Sequence, residues 1–176
     1  MRVSTICGRW HWVPERWVHS SAAVPDHFVE RFAARRTYIG QFELLAAVAV
    51  YYTLPELAGR SVVHWVDNTS ALAALAKGYS RAIDSARIVH ALHAWNVGAG
   101  VSTWFEYVRS KANISDQPSR GEFGLLRRMG SEWVDMELPE AGDWFKPAAF
   151  WLESARGRAR VARARPPRKR RRAAGA

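Results

Sequence analysis

The stretch that decides the fold is residues 61–72, SVVHWVDNTSAL. Its first six residues form a short, almost continuous apolar run, which is typical of a sheet strand covered on both faces. Residues 67–69, DNT, combine a strand end with a helix cap, so we predict a short helix that Gly78 stops. A buried strand that runs directly into a helix indicates an α/β protein.

The flanking segments extend this pattern in both directions. Residues 41–52 are apolar around nearly the whole helical circumference, which predicts a buried helix. Residues 1–24 alternate apolar and polar side chains, with breaks at 7–8 and 13–15, and predict strands joined by tight turns. A longer helix is predicted over 83–97 and a strand over 101–108. The order of these elements predicts one mixed α/β sheet with helices packed on its faces.

The net charge of +10 is concentrated at one end of the chain. Residues 155–176 carry nine Arg, one Lys and no acid, so residues 1–154 are neutral overall. We predict a disordered basic tail that attracts phosphate, and the run at 167–172 has the composition of a nuclear-import signal. A solubilising tail is the alternative. The single Cys7 and the lack of a long apolar run lead us to expect a soluble intracellular chain.

Three carboxylates stand where chemistry is expected. Glu43 is the one ionisable group inside the apolar helix, and a charge there is costly unless it is paired or binds a metal ion. Asp67 follows the buried strand, and Asp116 follows the next strand after a polar loop, with Ser115 as its expected cap. If the two strands are neighbours, Asp67 and Asp116 meet at one edge, and Glu43 can reach them from a helix packed on the sheet. Carboxylates gathered in this way hold Mg²⁺ or Mn²⁺.

Each acid also has a purely structural interpretation. Asp67 could belong to a turn and cap, Asp116 could be a first-turn acid favoured by the helix dipole, and Glu43 could face solvent near a helix start. The three together, in this order, favour a functional site.

Three motifs carry a family resemblance. Residues 40–46 (GQFELLA), 66–72 (VDNTSAL) and 108–120 (VRSKANISDQPSR) resemble the ribonuclease H domains of retroelement polyproteins, which are fused to reverse transcriptases. The resemblance covers residues 1–121 and leaves 122–154 as a C-terminal extension that packs on the domain. We expect residues 125–133 to form a helical stripe, and the aromatic side chains from Trp144 to Trp151 to pack onto the core.

The resemblance implies a fold and an activity. The fold would be a ribonuclease H-like α/β layer structure. Glu43, Asp67 and Asp116 would be the second, third and fourth members of an Asp-Glu-Asp-Asp set that binds two Mg²⁺ or Mn²⁺ ions and hydrolyses the RNA strand of an RNA–DNA hybrid. A reverse transcriptase in a longer polyprotein is the implied partner. The nucleic-acid contacts would come from Asn68, Arg109, Lys111, Asn113, Arg168, Lys169, Arg170, Arg171 and Arg172.

The chain departs from the family pattern at its first strand. Residues 1–14 contain no acid, and the earliest carboxylates, Glu15, Asp26 and Glu30, fall in predicted turns or loops. Either the chain begins one strand too late, or its first strand has lost the acid. We therefore expect impaired nuclease activity. The competing hypotheses are a non-catalytic nucleic-acid-binding remnant and a structural domain whose acids are incidental.

Overall fold

A computed structural model describes residues 2–11, 13–140 and 142–164, with side-chain surroundings from residue 16 onward. Its strands are β1 (Arg2–His11), β2 (Val13–Ala23), β3 (Ser61–Val66), β4 (Ser102–Tyr107) and β5 (Glu132–Trp133). Its helices are α1 (Asp26–Val29), α2 (Ile39–Thr53), α3 (Thr69–Lys77), α4 (Ile83–Ala99), α5 (Asp116–Ser119), α6 (Gly124–Arg128) and α7 (Ala148–Ala164). Short 3-10 turns cover Pro55–Leu57, Ser110–Ala112 and Asp143–Phe145. The predicted α/β class is confirmed.

The first two strands form one long antiparallel hairpin. The pairing runs from Arg2 with Ala23 to His11 with Val13, and the register shifts between Arg9 and Trp10. The predicted break at residues 7–8 is wrong, because the ladder continues through them. β5 adds to β2 in parallel and completes a three-stranded sheet.

β3 and β4 form a second sheet. They are parallel, and the register runs from Ser61 opposite Ser102 to Val66 opposite Tyr107. Within the described residues β3 pairs with β4 alone, so its other edge carries no ladder. The strands therefore form two sheets where we had predicted one, because no ladder joins β1 to β3.

α2 is the centre of the core. Leu44, Leu45, Ala47 and Val48 are buried, as the apolar circumference of this segment predicted. The helix contacts β1, α3 and α4. It also reaches the β3–β4 sheet, since the Tyr51 hydroxyl lies 3.1 Å from His64 Nδ1 and accepts a hydrogen bond from Thr103 Oγ1 at 3.1 Å. α2 therefore packs against elements of both sheets.

α3 and α4 lie with α2 on one face of the β3–β4 sheet. The Asn68 side chain caps α3 by accepting from the backbone N–H groups of Ser70 and Ala71, both at 3.0 Å. Gly78 ends α3 in the left-handed conformation at φ 74°, as predicted. From α4, Asn96 Nδ2 donates to Thr103 Oγ1 at 3.1 Å, which joins the helix to β4.

The C-terminal region corrects two predictions. α7 continues to Ala164 and buries Ala155 and Ala159, so the disordered tail predicted from residue 155 is wrong for residues 155–164. Residues 165–176 lie outside the described part of the chain. Trp133 lies in β5, so the helical stripe predicted over residues 125–133 ends with α6.

The aromatic side chains of the extension divide into buried and exposed groups. Trp144 and Trp151 are buried and stacked with ring centroids 5.6 Å apart, as the predicted packing requires, while Phe145 is exposed. Across residues 2–11, 13–140 and 142–164, no helix combines the length and apolar character needed to cross a membrane.

Candidate acidic site

Glu43 lies one turn into α2 and is partly buried. Two residues earlier, Gln41 is buried, and its Nε2 donates to Ser85 Oγ of α4 at 2.8 Å, which joins this end of α2 to α4. The alternative in which Glu43 faces solvent at the helix start does not match this burial. The helix therefore holds one carboxylate at the border of the core.

Asp67 is placed by the junction of β3 and α3. It is the first residue after the strand, and Asn68 caps the helix that follows. β3 and β4 are neighbours and parallel, as a meeting of the acids at this edge requires. Asp67 is partly buried, and its carboxylate lies at the carboxyl end of the β3–β4 sheet.

Asp116 begins α5, which packs against β1 and β2. Its Oδ2 accepts a hydrogen bond from Arg120 Nη2 at 3.3 Å. The predicted Ser115 cap is wrong, because its side chain makes no capping hydrogen bond. The Ser115 hydroxyl instead donates to Asn113 Oδ1 at 2.6 Å.

The three acids interact electrostatically. Burial, followed by the charges of Asp67 and Asp116, raises the pKa of Glu43 to about 7. Burial and the charge of Asp67 also raise the pKa of Asp116, and Arg120 opposes this change. The three carboxylates, from α2, the end of β3 and α5, therefore repel one another.

The three carboxylates are suitable ligands for a divalent cation, but their arrangement is not that of a formed metal site. Carboxylate oxygens are the ligands that Mg²⁺ and Mn²⁺ prefer, and repulsion among the acids favours a cation between them. However, no three His, Cys, Asp or Glu side chains in the described part form a group arranged to hold a metal ion. The acids approach one another without forming a closed ligand set.

Of the earlier acids, Asp26 and Glu30 are described by the structure, and neither contributes to the electrostatics of the three carboxylates. Asp26 and Glu30 are exposed at the two ends of α1. The surroundings of the Glu15 side chain lie outside the described residues. The first member of the family's carboxylate set thus has no counterpart among the side chains that the structure describes.

The predicted nucleic-acid contacts fall into three groups. Arg109 and Lys111 are exposed on the turn after β4. Asn68 Oδ1 and Asn113 Oδ1 accept local hydrogen bonds, so these two side chains have structural roles in a helix cap and a turn. The tail residues lie outside the described residues: Arg168, Lys169, Arg170, Arg171 and Arg172.

One ion pair with a buried acid could not be predicted from the sequence. Asp84, at the start of α4, is 5% exposed and pairs with Arg35, and its Oδ2 accepts from Ala33 N at 3.1 Å. It holds the segment before α2 against α4. An acid in the first turn of a helix is common on protein surfaces, so the sequence carried no signal of burial.

In comparisons with known proteins, no family model matches the chain, no curated protein is significantly similar to it, and no solved structure matches it.

Proposed function

We propose that this chain is a ribonuclease H-type domain of the retroelement class, which binds RNA–DNA hybrids and hydrolyses their RNA strand with impaired efficiency. The observation that supports the proposal is the electrostatic coupling of Glu43 with Asp67 and Asp116. They come from a core helix, a strand end and a later helix, in the order of the family motifs. Incidental surface acids would be expected to lie apart.

The three acids would bind a divalent cation together. Asp67 would bind it from the end of β3, Asp116 from α5 and Glu43 from α2. Bound Mg²⁺ or Mn²⁺, two ions in a complete site, would supply an activated water and stabilise the leaving oxygen. Because burial and the neighbouring acids raise the pKa of Glu43 to about 7, protonation of its carboxyl would compete with metal binding near neutral pH. Metal affinity would therefore rise with pH through this range.

The substrate would be gripped by cations beside the acids. Arg109 and Lys111 are exposed just before α5, where phosphates of a bound duplex would pass. Basic residues from α7 onward would add contacts that weaken with salt. A reverse transcriptase in a longer polyprotein is the proposed partner. The basic run at residues 167–172 is proposed to direct nuclear import.

A second candidate function is nucleic-acid binding without cleavage. It is favoured because the described acidic side chains do not form a closed metal-binding group. In this alternative the chain keeps the basic surface and lacks the chemistry. Cleavage therefore has to be measured separately from binding.

The test is cleavage of an end-labelled RNA–DNA hybrid with Mg²⁺ or Mn²⁺, comparing the wild type with Asp67→Asn. Glu153→Gln is the matched control, since Glu153 is an exposed acid on α7. We expect slow metal-dependent cleavage that Asp67→Asn lowers at least tenfold and Glu153→Gln leaves unchanged. Hybrid binding without any cleavage would support the second candidate, and neither binding nor cleavage would refute both.

A further inference from the structure

The outer face of the β3–β4 sheet is apolar and open to solvent. Alternation along the strands places Val63, Trp65 and Trp104 on this face, where they are 56%, 57% and 68% exposed. On the opposite face, His64 and Phe105 are partly buried beneath the helices. Exposure of this size shows that no described element covers the outer face. Exposed apolar patches commonly mark interaction surfaces.

The strand register makes the two indoles neighbours. Val63 lies opposite Trp104, and Trp65 lies two residues further along β3, opposite Glu106. With a strand separation of about 4.8 Å and a rise of about 3.3 Å per residue, the Cα atoms of Trp65 and Trp104 lie about 8 Å apart. The face thus presents two adjacent aromatic rings.

The Trp104 ring is held in place by its edge. Its Nε1 donates to Glu106 Oε2 at 3.2 Å, and Glu106 Oε1 accepts from the backbone N–H of Tyr107 at 3.0 Å. These two hydrogen bonds lower the pKa of Glu106 and keep its carboxylate charged. Because the hydrogen bond holds the Trp104 ring by its edge, a face of the ring stays available for stacking with a ligand. The ring also loses less conformational entropy on binding than a freely rotating side chain would.

Cations flank this face at both ends. At the start of β3, Arg60 is exposed, and the Arg163 guanidinium lies 3.3 Å from the position that a Cβ on Gly59 would take. At the end of β4 lie Arg109 and Lys111. Positive ends around an aromatic centre match the phosphates and bases of one nucleic-acid strand.

We propose that the outer face of the β3–β4 sheet binds single-stranded nucleic acid, with unpaired bases stacked on Trp65 and Trp104. This inference rests on the proposed function and extends it to unpaired segments beside a hybrid. Aromatic side chains on an open sheet face are an established way of stacking unpaired bases, whereas a duplex keeps its bases stacked internally. A second copy of this chain would bring further cations toward these ends, so charge favours a polyanion as the occupant.

The experiment measures binding of a fluorescein-labelled oligo(dT) to the full chain by anisotropy, in EDTA so that no divalent cation contributes. The test variants are Trp65→Ala, Trp104→Ala and their double, with Trp65→Phe as a rescue. Trp133→Ala is the matched control, because Trp133 is 48% exposed on β5 and donates Nε1 to Asp135 Oδ1 two residues away at 3.0 Å. Thermal unfolding checks that each variant is folded.

We expect each Trp→Ala change to weaken oligo(dT) binding about tenfold, Trp65→Phe to retain most of it, and Trp133→Ala to leave it unchanged. Glu106→Gln keeps the hydrogen-bond acceptor and removes a negative charge, so it is expected to bind oligo(dT) about as tightly as the wild type or more tightly.

Equal binding by the wild type and the double variant would overturn the proposal, as would no binding by the wild type. Loss of self-association in the double variant, with oligo(dT) binding intact, would indicate a second copy as the occupant and also overturn it. Trp-dependent binding without hybrid cleavage would refute the nuclease and leave this surface supported.

Discussion

At the residue scale, Glu43 lowers the stability of the folded chain at neutral pH. Its pKa is about 7 in the folded chain and near 4.5 in the unfolded chain, so folding favours the protonated form. The stability linked to this residue is complete below about pH 4.5 and is lost as the pH rises through 7. A buried carboxylate that costs stability at neutral pH is a common mark of a functional group.

Glu43→Gln is expected to remove this pH dependence. At pH 8 the variant should have a free energy of unfolding about 1–3 kcal/mol above that of the wild type, after allowance for solvent screening. At pH 4.5 the two should agree. Urea unfolding of both proteins at the two pH values measures the difference, and comparing variants cancels the titration of other groups such as His64, whose pKa burial lowers to about 4. An equal difference at both pH values would argue against the shift.

At the scale of elements, the second half of α7 is the structure that the sequence analysis failed to predict. Its buried side chains after Trp151 are Ala155 and Ala159, spaced four residues apart among arginines. Alanine is a weak apolar marker, so composition indicated disorder. Reasoning from composition succeeded for α2, because its large apolar side chains are a clear sign of burial. A glycine on α4 lets α7 approach closely, and nothing in the sequence indicates that this glycine faces another helix.

Gly98 is the glycine in question, and its replacement by alanine is expected to separate α4 from α7. An added Cβ would lie 2.5 Å from the Leu152 carbonyl oxygen and 2.8 Å from its Cα. We expect Gly98→Ala to lower the free energy of unfolding by about 1–3 kcal/mol. Gly157→Ala is the control, because a Cβ at this α7 position meets nothing within 4 Å and should stabilise by about 0.5–1 kcal/mol. Equal effects in thermal unfolding would contradict the close approach.

Arg158 is an arginine of the predicted tail with a structural role. Its guanidinium lies 3.8 Å from the Tyr52 ring centroid and donates to the Tyr52 carbonyl at 3.1 Å and to Glu137 Oε2 at 2.6 Å. We expect Arg158→Ala to lower the free energy of unfolding by about 1–2 kcal/mol, measured in urea. Arg156→Ala changes an exposed neighbour and should stay within about 0.5 kcal/mol. A smaller loss for Arg158→Ala than for Arg156→Ala would refute this role.

At the scale of the whole molecule, we expect the basic residues after α7 to bind phosphate. Residues 165–176 contain five Arg and one Lys. A variant ending at Ala164 should keep the thermal stability of the full chain, because every described interaction of α7 remains. Its nucleic-acid affinity should depend less steeply on salt, by about 0.7–0.9 in the log–log slope for each phosphate that the shortened chain no longer neutralises. Titrations at several salt concentrations measure the slope, and an unchanged slope would show that these residues do not bind phosphate.

The sequence predicted the elements of this molecule better than their assembly. The β3–α3 junction, the Asn68 cap and the stop at Gly78 depend on residues within one turn of each other, so they could be predicted locally. The parallel pairing of β3 with β4, on which the expected meeting of Asp67 and Asp116 depends, is also present. The division into two sheets depends on backbone hydrogen bonds between distant segments, and side-chain patterns do not record which strands share a ladder.

β3 has the residues of an interior strand and the position of a border strand. Residues 61–66 contain no proline, lysine or acid, which are the usual means by which sheets discourage further strands from joining. Among the described residues no strand pairs with the second edge of β3, so its amides and carbonyls there are available to another chain. Solutions of this protein should become turbid on concentration and warming, and light scattering should grow with time as chains add to one another through the backbone of β3.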